Sequence, residues 1–166
     1  MIVNQTIQEF AKKNSQKFDV VCSFQVLEHV ADVKNFISSS LAVLRPGGRM
    51  IISVPNNDAE LIKQNDFILN LPPHHMGLWD LNSLIKLQHF FALRVESIHL
   101  EPLQAYHVAF MARLVNRNIE EKLNQKIGSF SSILAKMAHP FSYWAILAMK
   151  KSIIGHTVLV AYTKTR

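Results

Sequence analysis

Hydrophobic and polar positions follow two different periods in the first part of the chain. "KFDVVCSF" (17–24) and "RMIISV" (49–54) are short apolar runs rich in β-branched residues, which is typical of strands buried on both faces. A helical period runs between them over 32–44, with Asp32 as the N-cap and "RPGG" (45–48) ending the helix. Strand, helix, turn and strand in this order predict a βαβ unit with a right-handed crossover.

The pattern continues on both sides of this unit. A short amphipathic helix is predicted over 4–14 and a longer one over 78–91, followed by a strand over 93–102. A last strand is predicted over 156–164. Strands that alternate with helices indicate an α/β fold.

A long segment separates the last two predicted strands. It holds two helical patterns, over 105–127 and 130–154, which Gly128 and Ser129 separate, and Pro140 is expected to interrupt the second pattern. We therefore expect residues 103–154 to form a helical insertion, either as a lid or as a docking element.

Composition narrows the classes of protein that need to be considered. In 166 residues, 49% are hydrophobic and 18% are charged, which excludes a disordered chain and favours one domain with a sizeable core. The net charge is +6, but the basic residues are scattered, so a nucleic-acid-binding role is not indicated. Cys22 is the only cysteine, so the default expectation is a reducing cytoplasm. The sequence has no run of about 18 uninterrupted apolar residues, so no membrane-spanning helix is predicted.

Three segments carry a resemblance to a known family. "FDVVCSFQVLEHVADVKNFISSSLAVLRPGGRMIISVPN" (18–56) resembles the middle of a class I S-adenosylmethionine-dependent methyltransferase. The similarity is to the small-molecule branch that includes the ubiquinone-biosynthesis O-methyltransferases. "PPHHMGLWDLNSLIKLQHFFALRVESIHLEP" (72–102) resembles the region that follows, and "GHTVLVAYTK" (155–164) resembles the family's last strand, which inserts antiparallel beside the fifth.

The resemblance implies the C-terminal part of a Rossmann-like methyltransferase sheet. Residues 1–102 and 155–166 would form this partial domain, with parallel strands and an antiparallel last strand. The five glycines of the chain do not form the family's G-x-G-x-G turn. We therefore expect a truncated methyltransferase, with the main anchor for S-adenosylmethionine lying outside this sequence.

The resemblance also implies roles for the residues that follow the first strand of the βαβ unit. Backbone groups of Ser23, Phe24 and Gln25 would contact the methionine part of the cofactor. From side-chain chemistry, we expect Glu28 and His29 to act as catalytic acid/base groups or to orient a nucleophilic substrate hydroxyl, since imidazole titrates near neutral pH. Some relatives carry a Glu-x-x-Glu-His motif associated with a divalent metal; here Gln25 removes one anionic ligand, so no metal is expected. The alternative is that Glu28 caps the next helix and His29 packs over the sheet.

Substrate contacts are expected from the two loops that follow. Asn56 ends the strand of 49–54, and a role in the turn is as plausible there as a substrate contact. His74, His75 and Trp79 lie in the Pro-rich loop and would line the pocket; adjacent histidines alone make a poor metal pair. Otherwise they pack against the following helix.

Partners are predicted at two places. Strand 19–24 would lose its usual neighbour and become an exposed apolar edge, which invites a partner chain or a second copy. A non-catalytic, partner-completed binding module is therefore an alternative to the enzyme. The apolar segment 130–154 would suit a membrane interface, although a helical pair covering a core is the interpretation we favour. A cytoplasmic protein, with or without membrane association, fits both.

Overall fold

The computed structural model describes residues 2–63, 70–128 and 130–165. One or two helices separate each strand from the next, as expected for the predicted α/β fold. Their bounds are α1 (Ile7–Ala11), β1 (Phe18–Phe24), α2 (Val33–Val43), β2 (Leu44–Pro55), α3 (Glu60–Lys63), α4 (Leu81–Phe90), β3 (Leu93–Pro102), α5 (Ala105–Ile127), α6 (Phe130–Met149) and β4 (Ile154–Lys164), with a 3-10 turn, Leu27–His29, after β1.

The four strands form one sheet in the order β1-β2-β4-β3. β1 runs parallel to β2, with Cys22 opposite Ile51, so the predicted βαβ unit is confirmed. β4 runs antiparallel to β2, with Val160 opposite Ile52, as the family resemblance implied. β1 is therefore an edge strand of the sheet formed by the described residues.

The prediction that β1 is buried on both faces is wrong. Successive side chains of a strand point to opposite faces, so positions 18, 20, 22 and 24 share one face. On that face Phe18, Val20 and Phe24 are 38%, 46% and 55% exposed, and Cys22 is exposed as well. The opposite face buries only Ser23 completely. Apolar composition thus identified a strand but not its environment.

The "RPGG" segment forms a bulge at the start of β2 instead of a turn before it. Phe18 pairs with Leu44 and Val20 pairs with Arg49, so three extra residues of β2 lie between these pairs. Gly47 takes a φ of 75°, in the left-handed region that glycine adopts without the steric cost of a Cβ. The predicted end of α2 remains correct, and Asp32 caps its start by accepting from the Asn35 N–H at 3.1 Å.

Two buried side chains of β4 hold helices against the sheet. The Lys164 ammonium donates to the carbonyls of Leu41 and Leu44, at 2.8 and 2.7 Å, where α2 ends. Burial lowers the pKa of Lys164. The hydroxyl of the fully buried Tyr162 donates to the carbonyl of Leu84 in α4 at 2.9 Å, and burial raises its pKa. Each of these polar groups is satisfied where water is excluded.

The described residues divide into two compact units. The first holds 2–58, 70–100 and 157–165, and the second holds 59–63, 101–128 and 130–156. The first unit contains the sheet and the larger core, whose fully buried members include Leu27, Ile37, Leu44, Met50, Ile52, Val54, Leu84, Val158, Val160 and Tyr162.

The second unit is built on α5 and α6. α5 begins and ends where the helical pattern predicted, and Gly128 follows it with a φ of 59°. Ser129, the other residue predicted to part the helices, lies outside the described residues. The expected interruption at Pro140 is wrong, since α6 continues through it. No helix in the described ranges is long and apolar enough to cross a membrane. The role of 103–154 as a lid or docking element stays a prediction.

Candidate active site

The predicted site residues of the first unit follow the carboxyl ends of β1 and β2. Parallel strands present these ends at the same edge of a sheet, where α/β proteins bind their ligands. β1 ends at Phe24, and Gln25 then turns the chain with a φ of 52° while its N–H donates to the Ser53 carbonyl of β2 at 2.9 Å. This turn places Glu28 and His29 in the 3-10 turn beyond the strand.

Glu28, His29 and His75 form a cluster. Each offers a carboxylate oxygen or ring nitrogen, and these atoms lie within 4.8 Å of one another. The imidazole rings of His29 and His75 meet edge to face, with 4.9 Å between centroids. Glu28 is 2% exposed, whereas the His29 side chain is 51% exposed. The cluster thus joins a buried carboxylate to an imidazole that solvent or a substrate can reach.

The proton on His29 is assigned by its hydrogen bond. Nδ1 of His29 lies 2.5 Å from the carbonyl oxygen of His74, which can only accept, so Nδ1 carries the hydrogen. In the neutral ring Nε2 then keeps its lone pair. That Nε2 lies 3.9 Å from Oε1 of Glu28, close enough for the carboxylate to stabilise a protonated imidazole.

Backbone contacts dock the Pro-rich loop on Glu28. The Glu28 carbonyl accepts from the N–H groups of Met76 and Gly77, at 2.7 and 3.1 Å. An added Cβ at residue 77 would lie 2.9 Å from Nε1 of Trp79, so any larger residue there would require the indole ring to shift. The loop therefore reaches the cluster from a position 45 residues away from His29 in the chain.

An amide relay orients His75 from the other side. Asn57 donates through Nδ2 to the Trp79 carbonyl at 2.8 Å and accepts through Oδ1 from Asn70 Nδ2 at 2.7 Å. Oδ1 of Asn70 in turn accepts from Nδ1 of His75 at 2.9 Å. His75 thus also presents its bare Nε2. Sequence reasoning missed Asn70, since nothing in the local pattern distinguishes it from an ordinary loop asparagine.

The two adjacent histidines have different roles. Burial, and then the neighbouring His29 and His74, lower the pKa of His75, while Glu28 acts in the opposite direction. The lowered pKa favours a neutral ring at His75. His74 is exposed and contributes its backbone carbonyl to His29, a difference from His75 that the sequence did not predict.

Three buried polar atoms near this edge have no hydrogen-bond partner among the described residues. They are Oγ of Ser23, Oε2 of Glu28 and Nε1 of Trp79. Buried polar groups are nearly always satisfied, so a set of three calls for a ligand or ordered water. All three belong to residues that the sequence singled out.

Other predicted site residues are placed less directly. Asn56 is 3% exposed, and its Oδ1 accepts from the Asp58 N–H at 3.2 Å, which is the turn role considered for it. Phe24 is exposed. The alternative in which Glu28 caps α2 is wrong, because Asp32 occupies that position.

The arrangement bears on metal binding as well. Nothing in the sequence pattern joined His75 to Glu28 and His29, and Gln25 argued against a metal. Two imidazoles and one carboxylate are a ligand set that zinc accepts. The prediction that no metal binds therefore stays a prediction, and the ligand set makes it one worth testing.

The mixed sheet, with a polar cluster at the carboxyl ends of its parallel strands, defines an α/β domain of the methyltransferase type. Residues 1–113 match a family described as "Methyltransferase domain". The chain belongs to this family, the class I S-adenosylmethionine-dependent methyltransferases, so the resemblance found in the sequence is confirmed.

Particular relatives are distant and longer. The ubiquinone biosynthesis O-methyltransferases of Salmonella typhimurium and Salmonella typhi are each 30% identical over 88 residues, which is 51% of this chain and 36% of theirs. The chain therefore spans about a third of the length of these curated relatives.

Two solved structures share the fold. A SAM-dependent methyltransferase from Archaeoglobus fulgidus has a TM-score of 0.56 at 13% identity, covering 98% of this chain and 66% of its own. A putative methyltransferase from Haloferax volcanii, solved in complex with the Trm112 methyltransferase activator, has a TM-score of 0.54 at 13% identity. The match covers 92% of this chain and 56% of the Haloferax volcanii chain. The predicted fold class is confirmed.

The residues present fit only part of S-adenosylmethionine, the cofactor of this family. The unpaired hydroxyl of Ser23 and the exposed turn after β1 fit a polar ligand at the strand end. The glycines of the sequence do not form the turn that the family uses for the rest of the cofactor.

Proposed function

We propose that this chain forms the acceptor side of a methyltransferase site for a small molecule. The observation that carries the proposal is the Glu28–His29–His75 cluster, in which Oε2 of Glu28 is buried without a hydrogen-bond partner among the described residues. Ser23, Phe24 and Gln25 would contact the cofactor, and Asn56, His74, His75 and Trp79 would line the acceptor pocket.

The chemistry assigned to the chain is proton removal and positioning. S-adenosylmethionine, when bound, would supply a sulfonium methyl group to a lone pair of the acceptor, with S-adenosylhomocysteine as the leaving group. Nε2 of His29 accepts the proton of the attacking hydroxyl or amine, because its Nδ1 is held by the His74 carbonyl. Glu28 stabilises the resulting imidazolium. His75, kept neutral by burial, orients the acceptor through its own Nε2.

Cofactor contact is tested by NMR titration with S-adenosylhomocysteine. We expect amide shifts at Ser23, Phe24 and Gln25, with low affinity, because the chain offers one part of the usual pocket. Ser23→Ala should weaken these shifts, whereas Ser97→Ala, at an exposed position of β3, should not. A saturating titration that leaves the β1 turn unchanged would contradict the proposal.

Catalysis is tested separately with radiolabelled S-adenosylmethionine and a panel of phenol and amine acceptors. For acceptors that must lose a proton, His29→Ala should lower the rate of methyl transfer by about 10²–10⁴-fold. His89→Ala, an exposed histidine in the last turn of α4, is the matched control. Equal rates for the two variants would eliminate His29 as the base.

The same protein allows a direct test of metal binding. Isothermal titration with zinc and with magnesium should give no heat above that of a Glu28→Gln variant if the acid/base assignment holds. Saturable binding that Glu28→Gln and His75→Ala both abolish would replace it with a metal-assisted site.

A second function, that of a partner-completed module, is supported by β1. Its outer face exposes three large apolar side chains, and it is an edge strand of the described sheet. We infer that another chain, or a second copy, pairs there. Light scattering should then give a mass above the monomer, and Val20→Lys should reduce it. A monomer at all concentrations would rule out the second copy.

A further inference from the structure

The outward face of α6 is apolar along its whole length. Of the exposed residues in this helix only Lys136 is polar. The exposed apolar residues are Phe130, Ile133, Leu134, Met137, Pro140, Phe141, Trp144, Ala145, Ala148 and Met149. Phe141, Phe130 and Trp144 are 79%, 71% and 67% exposed. A continuous exposed apolar surface of this kind marks a binding face.

The rotation of α6 is set by contacts on its other side. Ser131, Ala135 and Ile146 are buried, and the Ser142 hydroxyl donates to Oδ1 of Asn116 in α5 at 3.0 Å. The small buried side chains allow close packing against α5, whereas the large apolar ones point outward. The exposed positions of α6 thus result from a packed helix pair.

The neighbouring helix provides an internal comparison. Through its middle and last turns, the exposed face of α5 carries Arg113, Arg117, Glu121, Lys122 and Lys126. This is the charged face usual for a surface helix. Both helices belong to the same unit, so the apolar exposed face distinguishes α6 from the middle and last turns of α5.

Charge points to one kind of occupant. Residues 130–155 contain no aspartate or glutamate, whereas Lys136, Lys150 and Lys151 are basic. Two copies of this helix would bring like charges together without an acidic partner on either helix. At about 100° per residue, the exposed apolar side chains between Ile133 and Met149 cover about 160° of the helix circumference. This arc is wider than the seam of a coiled coil, which uses only the a and d positions of each heptad, so helix pairing with a second copy would leave part of it uncovered.

We propose that the outward face of α6 binds the surface of a membrane that contains anionic lipids. The helix lies in the interface plane, with Phe141 and Trp144 inserted at the level of the headgroups. Lys150 and Lys151, directly after the helix, contact lipid phosphates. The buried face stays on α5, so the second unit keeps its own core.

Vesicle co-sedimentation tests the apolar part. The wild type should bind vesicles of phosphatidylcholine with phosphatidylglycerol. Combining Phe141→Ser with Trp144→Ser should lower the partition coefficient at least about tenfold, since each large side chain loses its apolar burial. Phe90→Ser is the matched control, because Phe90 is 78% exposed but lies on α4. Circular dichroism checks that all variants are folded.

A lysine pair tests the charge. Lys150→Gln with Lys151→Gln should weaken binding to anionic vesicles by about fivefold for each lysine. The exposed pair Lys12 and Lys13 supplies the control, substituted in the same way. Pure phosphatidylcholine vesicles should bind wild type and lysine variants equally weakly.

Two results would overturn the proposal. One is equal vesicle binding by the wild type, the Phe141/Trp144 variant and Phe90→Ser. The other is a concentration-dependent dimer that Phe141→Ser dissociates, with no vesicle binding, which would assign the face to a second copy.

Discussion

The amide relay from Trp79 to His75 makes a quantitative prediction about the loop that carries His75. Asn57→Ala removes the hydrogen bond to the Trp79 carbonyl and the one from Asn70, at 2.8 and 2.7 Å. At about 1 kcal/mol for each bond, the loop should lose about 2 kcal/mol of local stability, or about a 30-fold increase in its opening equilibrium.

Amide hydrogen exchange measures this opening directly. The Met76 and Gly77 N–H groups donate to the Glu28 carbonyl, so their protection reports whether the loop is docked. Both amides should exchange about 30-fold faster in Asn57→Ala, since about 1.4 kcal/mol corresponds to tenfold. Asn57→Asp, which keeps the acceptor for Asn70 but loses the donor, should give a smaller effect.

A control and a refuting result complete the test. Asn82→Ala, at an exposed position in the first turn of α4, should leave exchange of the two amides unchanged. If Asn57→Ala leaves their exchange within about twofold of wild type, the relay does not hold the loop, and the argument for an oriented His75 fails.

Three further predictions concern stability. Lys164→Met should lower the free energy of unfolding in urea by about 2 kcal/mol, because two carbonyls at the end of α2 lose a charged donor. A variant more stable than the wild type would contradict this, since it would show that desolvation of the ammonium outweighs its two hydrogen bonds. Tyr162→Phe should cost about 1 kcal/mol through the bond to Leu84, and an unchanged denaturation midpoint would contradict it. Hydrogen bonds from Ser83 lower the pKa of Asp80 below its ordinary value of 3.8. The ionised carboxylate therefore adds to the free energy of unfolding above pH 3.8, and this stabilisation is lost as the pH falls through the pKa of the folded state. In urea titrations repeated down to about pH 2, Asp80→Asn should make the loss of stability in acid smaller.

Periodicity was sufficient for the elements that pack in the ordinary way. The pattern over 105–127 matches α5 at both ends, and Asp32 caps α2 as predicted, since both features depend on local spacing. Pro140 was misjudged because proline inside a helix has a local cost of about 3 kcal/mol, whereas the packing of the helix on α5 is not visible in the local pattern. The long packed helix α6 tolerates it.

The candidate site was predicted only in part. Glu28 and His29 lie in the turn that follows β1, so the end of an apolar run was enough to single them out. His75 was found as a loop histidine, but its place beside them depends on hydrogen bonds from Asn57, Asn70 and the Glu28 carbonyl. Contacts across so many residues leave no local pattern.

The sequence by itself determined the class of fold and the family, because strand and helix periods and the "VLEHV" and "RPGG" segments are local properties. Tertiary structure alone decided which faces those elements bury. It exposed one side of β1 and the apolar face of α6, and it brought His75 to Glu28 and His29. Burial is decided by what packs against an element, and the composition of the element does not contain that information.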